Sequence, residues 1–421
     1  MSALLERLQE RNPALLEVAV AWHQAGHLPA NCWLVDLDTV AANAEVLRRA
    51  QDETGLATYL MTKQHGRNPL ITGVALARGL QSTVAVDEQC VRALTRYGLP
   101  VGHVGHLNQI PRRAIPFVLD QHPEVWTVYS VEHARWISAA AAARGRVQDL
   151  LLRVYARGDV FFDGQEGGFP LEAVLDAARE VARLPGVKVA GTVAFPCVRY
   201  NSRRQDPVEP TPNFRTAVAA FDRLKAAGYD VWQVNAPGNT SAATFPMLKQ
   251  EGATHAEPGN GLLGTTPSHA FRGDLPEVPV YCYVTEITHR YEGRAYAHGG
   301  GLFRDIYDPQ EQMRAIVAGR PEQIHEAPVS ANWVEQIIDY HLPISDGGRG
   351  AVGDTVILGY RTQMHMTRSW VGVVAGLRGG APKLVGLFDN AATMLDPETM
   401  VPLAVDEARA AVQRVVEGYR A

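Results

Sequence analysis

A chain of 421 residues, 46% of them hydrophobic, is long enough to bury two cores, and its net charge of −5 leaves no basic footprint for nucleic acid or an anionic membrane. Four widely spaced cysteines (Cys32, Cys90, Cys197, Cys282) form no Cys-x-x-Cys pair, which excludes a disulfide framework or a clustered structural metal and fits a reduced, cytoplasmic protein. No apolar stretch approaches the ~20 residues of a membrane span, and the charged, leucine-rich N-terminus lacks the plan of a signal peptide.

In chain order, leucines at helical spacing (Leu4, Leu5, Leu8, Leu15, Leu16) predict N-terminal helices. Cys32 to Leu37 reads as a strand, with Asp38 as cap of a helix through Ala50. From Ala57 a rhythm begins. Apolar runs at 57–61, 83–86, 101–104, 125–129, 150–155, 187–195, 231–234 and 253–256 alternate with helical patterns, which predicts a parallel sheet closed as a (β/α)8 TIM barrel. After Glu277 the runs 281–288, 294–298, 355–361 and 370–377 are separated by turns such as Glu292-Gly293 and predict an antiparallel β domain with a final helix over 406–419. The stretch 309–333 has mixed helical character. The domains are therefore expected at 1–52 (helices and a strand joining the β domain), 53–275 (barrel) and 276–421 (β domain), with an isolated barrel as the alternative architecture.

On a barrel, functional groups lie just after the strands, on the C-terminal face. Only five of the 40 basic residues are lysines, and Lys63 alone stands at such a strand exit. There an amine can be desolvated, lose its proton and form a Schiff base, although a solvated strand-end lysine has the same local sequence. Asn235-Ala236-Pro237-Gly238-Asn239-Thr240-Ser241 leads from the seventh strand into a helix near Ser241, which suits a phosphate group or an ordinary N-cap. Glu257-Pro258-Gly259-Asn260 leaves the eighth strand with a carboxylate at the barrel mouth and amides behind it. His103 and His106 lie close together on the third strand. They lack a third metal ligand, so packing or ring contact is the preferred reading.

These stretches, with Val35-Asp36-Leu37-Asp38 and Asn43, resemble the fold-type III pyridoxal-phosphate enzymes, the alanine racemase and ornithine decarboxylase superfamily, and most closely the YhfX family. The resemblance implies an alanine racemase-like barrel plus a β domain, and a homodimer with active sites at the interface. It assigns Lys63 as the Schiff-base lysine for pyridoxal 5′-phosphate, Thr240, Ser241, Gly259 and Asn260, beside Asn235, as the phosphate cup, and Glu257 as the partner of the pyridine nitrogen. Racemases place an arginine there, whereas the decarboxylase branch uses glutamate, which favours a protonated ring and a stronger electron sink.

The resemblance also implies acid–base chemistry at the α-carbon of an amino acid or analogue. Lys63 serves one face, and Tyr296, in a Tyr-x-x-Gly pattern, matches the racemase tyrosine contributed by the neighbouring subunit. The same tyrosine also fits a cross-strand packing role. A ring-contacting histidine of the racemases is replaced by Ala194 before Phe195, with His106 as a substitute from another strand. Glu166 stands where racemases carry a carboxylate-clamping arginine, and Arg361 is the replacement clamp. Thr362 and Met364 lie near the metal positions of the zinc-dependent relatives, so no metal is expected, with His365 the residue that keeps a metal-dependent aldolase or dehydratase in view. The primary expectation is a racemase or epimerase, an isomerase. The alternatives are an amino-acid decarboxylase and a non-catalytic pyridoxal-phosphate carrier.

Overall fold

The computed structural model describes residues 3–201, 208–305, 312–332 and 338–420. The chain divides into two compact units, one made of Leu47–Lys63 and Gly79–Gly259, the other of Met1–Val46, Gln64–Arg78 and Asn260–Ala421.

The first unit is the barrel. Its eight strands are Ala57–Met61, Ser82–Ala85, His103–Val104, Val125–Val128, Gln148–Tyr155, Val187–Val193, Gln233–Ala236 and His255–Ala256. Each pairs in parallel with the next, and the eighth closes on the first through His255 opposite Ala57 and Ala256 opposite Thr58. The continuous apolar runs have this cause: a parallel strand covered on both faces cannot alternate with polar residues. Crossover helices start where a strand exit offers a cap. Asp87 accepts from the Cys90 amide, Ser130 from His133, and Thr211 from Phe214 with a proline at the first turn. One close approach requires glycine, since a Cβ on Gly191 would lie 1.9 Å from the Gln233 carbonyl oxygen of the adjacent strand.

The second unit is a ten-stranded sheet. Cys32–Asp36 lies in it between Tyr281–Tyr291, antiparallel, and Trp370–Ala375, parallel. Its core joins Leu5, Leu8, Leu15, Leu16 and Val20 of the N-terminal helices to Cys282, Val284, Ile316 and Ile357. Trp33 is fully buried among Tyr281, Tyr283 and Tyr360 at centroid distances of 5.3, 5.0 and 5.2 Å. The Tyr281–Tyr291 and Arg294–His298 hairpin turns on Glu292 (φ 46) and Gly293 (φ 76), the left-handed pair that a two-residue turn requires. The helix Val405–Glu417 packs on the helix Pro69–Ala77, close enough that a Cβ on Gly73 would come within 2.7 Å of Val416 Cγ2.

Two expectations need correction. The helix after the first strand runs Leu37–Thr54, so its cap is Asp36, which accepts from the amides of Asp38 at 3.1 Å and Thr39 at 3.2 Å. Asp38 instead accepts from the Tyr419 hydroxyl at 2.5 Å. The stretch expected to have helical character holds strands Arg314–Ala318 and Val329–Ala331 around a short 3-10 turn, because β-branched and small residues there pair with Thr355–Leu358 and His341–Ser345. Pro309 and Trp333 at its ends lie outside the described residues. No described helix is long and apolar enough to cross a membrane.

Candidate active site

Lys63 stands one residue beyond the first barrel strand, after Thr62, and is half-buried. The strand exit is fixed on both sides. Thr62 Oγ1 donates to the Val84 carbonyl at 3.0 Å, and the Met61 amide donates to the Pro258 carbonyl at 2.9 Å. That second bond ties the exit of the first strand to the turn carrying Glu257 and the buried Gly259.

Glu257 is buried, and its two carboxylate oxygens have different surroundings. Oε1 is 2.6 Å from His103 Nδ1 and accepts from Asn235 Nδ2 at 2.7 Å. Among the described residues Oε2 has no hydrogen-bond partner. The other ring nitrogen of His103 is 2.6 Å from Thr127 Oγ1, and both residues are fully buried. His106 stacks on His103 with centroids 5.4 Å apart and meets Phe195 edge-on at 5.7 Å. Its Nε2 is 4.0 Å from Glu257 Oε2, beyond hydrogen-bond reach. Burial, then the charges of His103, Arg153 and Lys63, hold His106 well below the usual histidine range, so its ring is neutral at pH 7.

Arg153 comes from the fifth strand and is fully buried. Its hydrogen bonds go to the Tyr129 hydroxyl at 3.4 Å and to the carbonyls of Gln165 at 3.4 Å and Phe195 at 3.2 Å, while Nε has no partner among the described residues. Burial pulls its pKa down from the usual arginine value. A buried guanidinium bonded to carbonyls and a phenol supplies positive charge with no carboxylate among those bonds.

The other sequence-derived residues divide between the two units. In the barrel, Thr240 and Ser241 are buried after the seventh strand, where Ser241 and Thr244 form a reciprocal cap, the Ser241 amide donating to Thr244 Oγ1 at 3.0 Å. Glu166 is exposed on the loop after the fifth strand. In the β unit, Asn260 with its amide oriented toward Arg361 accepts from Nε at 3.1 Å and Nη2 at 3.2 Å, and donates to Thr265 Oγ1 at 3.1 Å. Arg361 also pairs with Asp305 at 3.3 Å. Tyr296 lies on the Arg294–His298 strand, half-buried, with its ring stacked on His289 at 4.7 Å. Thr362 donates to the Phe303 carbonyl at 2.5 Å and Met364 is buried. Among the described residues no group of three or more His, Cys, Asp or Glu is arranged to hold a metal ion.

The barrel thus brings Glu257, Asn235 and His106 into one buried cluster; it adds Thr127 and Arg153, which sequence reasoning did not assign, and His103, expected to pack or contact a ring, hydrogen-bonds Glu257 instead. Arg153 carried a usable signal: an arginine inside the apolar run Leu150-Leu151-Leu152-Arg153-Val154 marks an inward-facing charge. For His103 the signal was weaker, because its partner lies 154 residues away.

Residues 35–267 match the family described as "Alanine racemase, N-terminal domain", and residues 282–384 match "YhfX-like, C-terminal domain". The chain is 38% identical over 386 residues to the protein YhfX of Escherichia coli K12, covering 92% of this chain and 98% of that protein. Among solved structures, alanine racemase of Clostridium difficile 630 in complex with cycloserine is similar with a TM-score of 0.61 at 16% identity, over 86% of this chain and 99% of that one. The D-threonine aldolase of Filomicrobium marinum has a TM-score of 0.60 at 16% identity, over 82% and 91%. The D-threo-3-hydroxyaspartate dehydratase of Delftia sp. HT23 has a TM-score of 0.61 at 14% identity, over 85% and 96%. At such identities the likeness is one of fold.

Proposed function

The chain belongs to the alanine racemase N-terminal domain family, with a YhfX-like C-terminal domain, and from that premise we propose a pyridoxal-phosphate enzyme that racemises or epimerises an amino acid at its α-carbon. The observation that carries the reading is the buried carboxylate of Glu257, with one oxygen held by the protein and the other left without a partner. Buried acceptors are otherwise nearly always satisfied, so an unpartnered one on a barrel's functional face is suited to a donor from a ligand.

The residues present fit pyridoxal 5′-phosphate. Lys63 would hold its aldehyde carbon, Glu257 its ring nitrogen and His106 its ring face, with Asn235, Thr240, Ser241, Gly259 and Asn260 in the phosphate cup. When bound, the cofactor supplies a ring that withdraws electrons from the α-carbon. Lys63 moves a proton at one face of that carbon, and Tyr296 of a second copy acts at the opposite face in a homodimer. Neutral His106 packs without competing for the proton. Arg153, a buried cation, orients an anionic group of the substrate, while Arg361 and Glu166 make the outer substrate contacts.

Decarboxylation is the second reading, favoured by the glutamate at 257, whose carboxylate would hold a protonated ring nitrogen. Incubating the cofactor-loaded protein with a panel of amino acids in heavy water separates the two. Racemisation gives inverted chirality with deuterium at the α-carbon; decarboxylation gives carbon dioxide. The Tyr296→Phe variant should lose inversion and keep the cofactor, and inversion at the wild-type rate would remove Tyr296 from the reaction. A loaded protein that exchanges no α-proton and releases no product from any amino acid would leave the carrier reading.

A further inference from the structure

Resting on the reading that Glu257 faces the cofactor's ring nitrogen, we propose that His103 is a positioning residue that commits one oxygen of Glu257 to the protein and reserves the other for a protonated nitrogen of the bound ring.

The terminal torsion of a glutamate is broad and two-fold, so the side chain alone does not choose which oxygen faces a ligand. Here the choice is made by partners. His103 and Asn235 both bond Oε1, at 2.6 and 2.7 Å, and neither reaches Oε2. Asn235 is also 3.4 Å from His103 Nδ1, so the three groups form one compact triangle. His103 is held at its far side by Thr127 Oγ1 at 2.6 Å, and its ring cannot turn without breaking contacts at both nitrogens.

The tautomer follows from the geometry. An ionised carboxylate only accepts, so Nδ1 carries a proton directed at Oε1. With both protein donors on Oε1, Oε2 is the oxygen left to accept from a ring N–H. His106 stacks on the His103 ring and is too far from Oε2, at 4.0 Å, to occupy it. Without His103, Glu257 would retain one donor on Oε1 and a carboxylate free to rotate.

The test is the nitrogen resonance of 15N-labelled pyridoxal phosphate bound to the protein, which reports ring protonation without turnover. Wild type should give the protonated position and Glu257→Gln the unprotonated one. His103→Phe should move most of the way toward unprotonated, and His103→Gln, which restores a donor, should move part of the way back. Thr127→Val leaves both the ring and the carboxylate in place and should shift the resonance in the same direction by less. If Glu257→Gln stays protonated, the assignment of Glu257 itself falls. If Glu257→Gln shifts while His103→Phe keeps the wild-type resonance, His103 only packs and the proposal is overturned. Should His103→Phe fail to fold, Thr127→Val decides, and a wild-type resonance there overturns the brace.

Discussion

Threonine, histidine and glutamate form a buried chain in each unit of this protein. In the barrel it runs Thr127–His103–Glu257, with hydrogen bonds of 2.6 and 2.6 Å. In the β unit it runs Thr266–His269–Glu277, at 2.6 and 3.3 Å, and there too the side chains are almost completely inaccessible. The difference is at the last atom. Glu257 leaves Oε2 without a partner, whereas no side-chain atom of His269 or Glu277 is left so. Arg11 adds bonds to the carbonyls of Leu275 at 2.7 Å and Glu277 at 3.1 Å and closes the second chain further. The same three residue types therefore serve as a tie in one place and present an open acceptor in the other. What separates the two chains is that open acceptor, not their residue types.

The sharpest way to separate the two is to remove chemistry and leave both chains standing. Lys63→Ala should lower turnover on the order of 10⁴-fold and abolish borohydride fixation of the cofactor to the protein. A fixed cofactor mapped to another lysine would dissociate the open chain from Lys63. Next, Glu257→Gln should lower turnover on the order of 10²-fold and leave folding stability nearly intact, because its open oxygen makes no contact to lose. Glu277→Gln should do the reverse, lowering stability by about 1–3 kcal/mol in urea melts at wild-type turnover. Equal effects of the two substitutions on both measurements would break the comparison.

The smallest effect is one of pH. Burial first, then the charge of His103, holds His255 down from 6.5 to about 4, so the folded barrel keeps this ring neutral while the unfolded chain takes up a proton. The stability that depends on it is complete above pH 6.5 and is lost as pH falls toward 4, at up to about 1.4 kcal/mol per pH unit. His255→Phe should flatten that part of the acid limb in urea melts at successive pH values, and an unchanged slope would show that other groups set it.

Much of the barrel was legible because parallel strands covered on both faces leave unbroken apolar runs, and eight of them appear in order. Lys63 was legible for a compositional reason, as a rare lysine at a strand exit in a chain that otherwise uses arginine. The His103–Glu257 pair was not, since hydrogen bonds across a barrel leave no local periodicity. Arg153 was less legible because the strand exits mark a barrel's functional face, while this side chain lies within a strand. The cap at Asp36 was misplaced by two residues, an error set by where the strand releases the chain, which apolar pattern alone does not mark. Residues 312–332 were obscured because their short strands gain stability only from partners distant in sequence.

The close packing of Gly73 against Val416 bears on the order of synthesis. The helix Pro69–Ala77 follows the turn that begins at Lys63, yet the surface it rests on is made of residues that leave the ribosome long afterwards. A nascent chain can complete its barrel strands while this helix still lacks its support. The docking of Pro69–Ala77 on Val405–Glu417 can therefore be completed only once the end of the β unit has been translated.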